Sequence, residues 1–149
     1  MAYSLFLVFI ALIAGFIVPT QAGINAQLSL WTRSPVLAAT VSFAVGTVAL
    51  LIYAIVMRIP LPNWSSASSH PWWIWSGGVL GAFFVTATIM LAPKLGAALM
   101  VVLILAGQLI ASLVLDHFGW LGFPVQQISA GRILGVALVA AGVLLVRFY

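Results

Sequence analysis

The sequence predicts an all-α integral membrane protein with five transmembrane helices, and three observations carry that prediction. Of 149 residues, 65% are hydrophobic and 4% charged, whereas a water-exposed surface usually needs roughly a quarter of its residues charged. Mean hydropathy is +1.31. Apolar runs recur at close to the ~20 residues needed to cross a hydrocarbon core of about 30 Å as a helix. Short segments rich in Pro, Gly, Ser and Trp separate them.

The first helix is expected from about Leu5 to Leu30, with Pro19 inside it. Met1 to Ser4 carry no Lys or Arg, and the run outlasts a signal-peptide core, so it reads as a span. Ser34-Pro35 pairs a capping serine with proline at the first helical position, which starts a second helix over 35–57. Arg58-Ile59-Pro60-Leu61-Pro62 stops it, and NWSSASSHP forms a polar loop. A third helix is expected over 71–92, closed by a tight turn at Pro93-Lys94-Leu95-Gly96. The fourth covers 97–115, with Asp116-His117-Phe118-Gly119 following it, and the fifth covers 131–146. Residues 1–149 are expected to form a single transmembrane domain.

Trp31, Trp64, Trp72, Trp73, Trp75, Trp120 and Tyr149 fall near span ends, as an aromatic belt at the two interfaces requires. The net charge of +4 then points to lipid headgroups rather than to nucleic acid. With no cysteine, no Glu and no metal-ligand spacing, neither cofactor nor metal is expected. No nucleophile motif or phosphate loop supports an enzyme.

Five spans place the termini on opposite sides of the membrane. Arg58 and Arg132 then lie on one side, and Arg33, Lys94 and Arg147 on the other. So weak a Lys/Arg bias does not set an orientation. Insertion both ways round would give an antiparallel homodimer of ten helices with inverted-repeat symmetry. A fixed orientation with an opposite-topology partner chain is the alternative.

Small residues four apart mark helix contacts in lipid. Gly131, Gly135 and Gly142 on the fifth helix are therefore the expected dimer interface. Polar side chains define other faces. Gln21 and Asn25 share a face of the first helix, with Thr20, Gly23 and Gln27 placed nearly opposite; Gln108 and Ser112 share one on the fourth. Ser42 and Thr86 mark the second and third. Amides turned to lipid would leave hydrogen-bonding groups unsatisfied, so two readings stand: interhelical links, or the walls of a substrate site. Pro19 removes a backbone donor and frees the carbonyl of Gly15, either breaking the helix at a site or only bending it. Asp116, the sole acid, pairs with Arg132 structurally or serves with it in gating or coupling.

The runs LAPKLGAALMVVLILAGQLIASLVLDHFGWLG and GRILGVALVAAGVLL, with the earlier PTQAGINAQL and SFAVGTVALL, resemble the YdcZ family of the drug/metabolite transporter superfamily. The most specific pieces are GQL (Gly107 to Leu109), LDHFG (Leu115 to Gly119), Gln21 and Asn25. The resemblance implies half of a ten-helix transporter in a bacterial cytoplasmic (inner) membrane. In it the first four helices would line the chamber and the last would pack at the dimer interface. The chain lacks the first-helix glutamate of the small multidrug relatives, so cation/proton exchange is not carried over. The expected function is secondary transport of a small uncharged or zwitterionic metabolite, using Gln21, Asn25, Ser42, Thr86, Gln108 and Ser112. A dual-topology ion channel is the alternative.

Overall fold

A computed structural model describes residues 2–148, with side chains described from Leu5 onward. Among the described residues, five helices are long and apolar enough to cross a membrane: α1 (Ala2–Thr32), α2 (Pro35–Val56), α3 (Gly77–Leu95), α4 (Ala97–Phe118) and α5 (Ala130–Phe148). The protein is thus an all-α membrane protein. It comprises two compact units, Met1–Pro93 and Lys94–Tyr149.

In the first unit, α1 runs unbroken through Pro19 for 31 residues, about 46 Å at 1.5 Å per residue. Of the two readings of Pro19, a break in the helix is thereby removed; the carbonyl of Gly15 still lacks its usual i+4 donor, because proline has no N–H. Arg33, at φ 55°, closes α1. Ser34 then caps α2, its hydroxyl accepting from the Leu37 N–H at 3.3 Å, with Pro35 at the first helical position. At the other end of α2 the Ile59 N–H reaches the Ala54 carbonyl and the Arg58 N–H the Ile55 carbonyl. That double bond pattern is a Schellman closure, with Arg58 at φ 51° where glycine is usual. Both closures place a cation beside the negative end of a helix dipole.

The third span begins differently from the expectation. Trp72–Ser76 is a 3-10 segment, and the α-helix starts only at Gly77. The apolar stretch nevertheless runs from Trp72 to Leu95. A second correction concerns its end: Pro93 and Lys94 lie inside α3, so the turn before α4 is Gly96 alone. Its φ of 75° and ψ of 161° belong to a region that side-chain-bearing residues essentially avoid. Packing in this unit is centred on Ala38, Ala39, Val85 and Ile89, flanked by Leu28 and Phe84. Alanines let the helices approach closely, and the Phe43 ring lies 3.4 Å from where a Gly81 Cβ would stand.

In the second unit α4 packs on α5. The helix α4 continues three residues past its expected end, so Asp116 sits in its last turn and not beyond it. Gly119 ends it in the left-handed conformation at φ 63°, and a Cβ there would meet the Val125 side chain at 2.6 Å. Ser129 caps α5, its hydroxyl accepting from the Arg132 N–H at 3.3 Å.

Most large apolar side chains are exposed on the single chain, including Leu5, Phe6, Phe16, Leu50, Phe83 and Leu138. In a membrane this surface meets acyl chains or other protein. Trp31, Trp64, Trp72, Trp73, Trp75 and Trp120 are exposed too, each near a helix end; Tyr149 lies outside the described residues.

Gly96→Ala is expected to lower the unfolding free energy by roughly 1–3 kcal/mol, read from reversible denaturation in mixed micelles. An unchanged midpoint would mean that the α3–α4 connection re-forms around an ordinary residue.

Candidate functional site

The helices α1 and α2 leave a cavity of about 500 Å³ between them. Its walls are Phe16, Ile17, Ile24 and Leu28 from α1 and Val41 and Val45 from α2; its polar groups are Thr20, Gln21, Asn25 and Ser42. These positions follow helical periodicity: residues 17, 21, 24, 25 and 28 recur every three or four along α1, as do 41, 42 and 45 along α2. None of the lining residues is ionisable.

Asn25 is the exceptional member. It is 4% exposed, and its amide nitrogen has no hydrogen-bond partner among the described residues. An unmade hydrogen bond of this kind costs about 1–3 kcal/mol, and buried polar groups are paired in the great majority of cases. The interhelical-link reading of Asn25 therefore lacks the bond it needs. Thr20 differs: its hydroxyl donates to the Phe16 carbonyl at 3.0 Å, one turn back, leaving the oxygen's lone pairs free to accept.

Gln21 and Ser42 also line a second cavity, of about 230 Å³, with Phe43, Gly46, Thr47, Leu50 and Val85. Ser42 and Gly46, four residues apart on α2, share a face there, and Gln21 and Ser42 border both spaces. Three of the expected site residues, Gln21, Asn25 and Ser42, thus come together. Thr20 joins them, which corrects its expected place on the opposite face. Thr86 is half-buried on α3 and lines neither of these spaces; Gln108, in the second unit, is exposed on α4. The apolar walls were not singled out in the sequence, where they are indistinguishable from lipid-facing residues.

Within the second unit, Leu109, Ser112, Leu113, Asp116, Arg132, Gly135, Val136 and Val139 enclose about 360 Å³. The Ser112 hydroxyl is committed to the Gln108 carbonyl at 2.7 Å. Arg132 Nη1 lies 3.2 Å from Asp116 Oδ2, with the two side chains 30% and 26% exposed. That pairing offsets an acid placed at the unfavourable end of a helix dipole. Arg132 also donates to the Gln126 backbone and side-chain carbonyls. The Gln126 N–H reaches the Asp116 carbonyl at 2.8 Å, and the Ile128 N–H reaches His117 Nδ1 at 3.2 Å. The α4–α5 loop is thereby tied to the end of α4. Gln126 and His117 carry this work without a spacing that announces it. Gly131, Gly135 and Gly142 are open: an added Cβ would meet nothing within 4 Å.

The model of a family described as "Putative inner membrane exporter, YdcZ" matches residues 6–145. The chain is also 40% identical over 79 residues to "Inner membrane protein YdcZ" of Escherichia coli strain K12, a match covering 53% of this chain and 52% of that protein. The matched part thus spans about half the length of that relative. No solved structure matches the chain.

Replacing an unpaired buried amide by an apolar side chain of similar size is expected to leave stability unchanged or raise it by up to about 2 kcal/mol. Asn25→Leu tests this by chemical denaturation, and a marked loss would restore the interhelical-link reading. A double-mutant cycle of Asp116→Asn and Arg132→Gln is expected to give a coupling of about 1 kcal/mol or less, because the pair is partly exposed.

Proposed function

The chain belongs to the YdcZ family, and on that premise we propose that it is a secondary transporter, moving a small metabolite by alternating access in an antiparallel dimer. As a multi-pass inner-membrane protein it meets lipid on its outside. Its cargo would be held by Gln21, Asn25 and Ser42. The observation that carries this reading is the unsatisfied amide of Asn25, a buried residue bordering the open groove between the membrane-spanning helices α1 and α2. In hydrocarbon such a group needs a partner, and a solute that provides one is bound by it.

The antiparallel arrangement is supported by two further features. Lys and Arg are spread over both sides of the five spans, so the usual orienting bias is weak. Among the described residues an added Cβ at Gly131, Gly135 or Gly142 of α5 would meet nothing within 4 Å, and small residues at this spacing suit close helix packing. Two oppositely oriented subunits would present the cavity once toward each membrane face. A rocking motion that exposes one while closing the other gives alternating access. In this scheme the Asp116–Arg132 pair ties the α4–α5 loop at the edge of the moving parts, where it serves gating rather than cargo binding.

Efflux from reconstituted liposomes should saturate with cargo and be stimulated from the opposite side. Asn25→Leu should cut it by about tenfold or more, since one hydrogen bond in a dry site is worth over 1.4 kcal/mol, while dimer assembly stays normal. Gly135→Leu should instead disrupt the dimer. Unsaturable electrical conductance would replace the carrier by a channel. Reporters fused to the C-terminus should give signal on both sides of the membrane; signal from one side alone would remove dual insertion.

A further inference from the structure

We infer that the α1–α2 cavity selects an uncharged amphiphile, a molecule with a carbonyl-type hydrogen-bond acceptor on a compact apolar body, and rejects cations, anions and zwitterions. The inference rests on reading this cavity as the transport site, and it names the cargo class.

Charge is the first criterion. The lining holds six apolar side chains, two amides and two hydroxyls, so it offers an ion no counter-charge. Desolvating an ion without a partner is costly enough that sites bind ions only when they neutralise them. The Phe16 ring is the cavity's sole aromatic group. A cation resting on one ring face recovers only a small part of its lost hydration. A zwitterion has the same problem twice.

Hydrogen-bond polarity is the second criterion. The orphan atom is the donor end of the Asn25 amide, so the partner it lacks is an acceptor. The terminal torsion of asparagine is broad, which lets the amide turn to meet a carbonyl oxygen entering from the cavity. Thr20 has spent its proton on Phe16 and can only accept, so a cargo N–H or O–H alongside the carbonyl would also find a partner. Gln21 of α1 and Ser42 of α2 are the remaining polar groups of the lining.

Shape is the third. The volume of about 500 Å³ lies in the range of small-molecule sites. Ile17, Ile24, Leu28, Val41 and Val45 are branched side chains, suited to an equally compact aliphatic group. A purely apolar occupant, such as an acyl chain, would fill the walls and leave Asn25 unpaired.

One matched series tests the assignment. N-acetyl-leucinamide is neutral, N-acetyl-leucine an anion, leucinamide a cation at about pH 6, and leucine a zwitterion, all on one apolar side chain; hexane supplies the acceptor-free control. Each is titrated calorimetrically into wild-type protein in nanodiscs, against empty nanodiscs. The neutral amide should bind saturably and at least about tenfold more tightly than the other four. Asn25→Leu should abolish that preference. Equal or tighter binding of any ion, or of hexane, overturns the inference. So does a preference that survives Asn25→Leu. The wild-type series decides the matter even if the variant does not fold. Liposome counterflow with labelled N-acetyl-leucinamide separates the two claims. Selective binding without protein-dependent flux supports the ligand class and overturns the transport reading. Protein-dependent flux of leucinamide but not of the neutral amide supports transport and overturns the class.

Discussion

Every buried or lipid-facing polar group in this chain must find its partner within the protein, because hydrocarbon offers none. That constraint explains the architecture at each scale. It permits only helices as spanning elements, and it concentrates polar residues at their ends. There Ser34 and Ser129 accept from the first turns, and Arg58 stands at the closure that consumes two backbone N–H groups. Even interior hydroxyls follow the rule. Thr20, Thr40, Thr88 and Ser112 each donate to a carbonyl three or four residues back on their own helix. Asn25 departs from these hydroxyls in being buried with its amide nitrogen unpaired among the described residues.

Much of the fold was legible because the same constraint writes it into composition. Span number and approximate length follow from how far apolar residues run before a polar or proline-bearing segment interrupts. The starts at Pro35 and Ala97 could be placed from Ser34-Pro35 and from Gly96. The ends were harder. Helix α4 carries Asp116 and His117 in its final turn because Arg132 of α5 pairs with Asp116 and the Ile128 N–H of the loop donates to His117 Nδ1. That compensation comes from sixteen or so residues downstream, beyond the reach of local propensity. Pro93 and Lys94 read as a turn but remain helical, since proline blocks only one carbonyl and a lysine suits a helix C-terminus.

The site was legible only in part, for a related reason. Gln21, Asn25 and Ser42 stood out as polar residues on helical faces, and they do meet. Thr86 stood out for the same reason and borders neither space of the first unit. Amphipathic periodicity orients a helix in water, where one face must be apolar. In lipid every face is apolar, so spacing says which polar residues share a face but not what that face meets. The placement of Thr20 beside Gln21 was lost for this reason, as were the walls at Phe16, Ile24 and Val45.

The proposed uncharged cargo also accounts for how few charges the chain keeps. A carrier that moves an ion needs a mid-membrane counter-charge that changes state with occupancy. The only carboxylate here lies at a helix end, already paired with Arg132. For a neutral cargo no such group is required, and occupancy can be sensed through hydrogen bonding alone. A ligand shifts a conformational equilibrium only by its differential affinity for the two states. An amide left unpaired when the cavity is empty and paired when it is filled provides that difference at one residue. In the proposed antiparallel pair the residue occurs twice, so one subunit's site can hold cargo while its inverted twin stands empty.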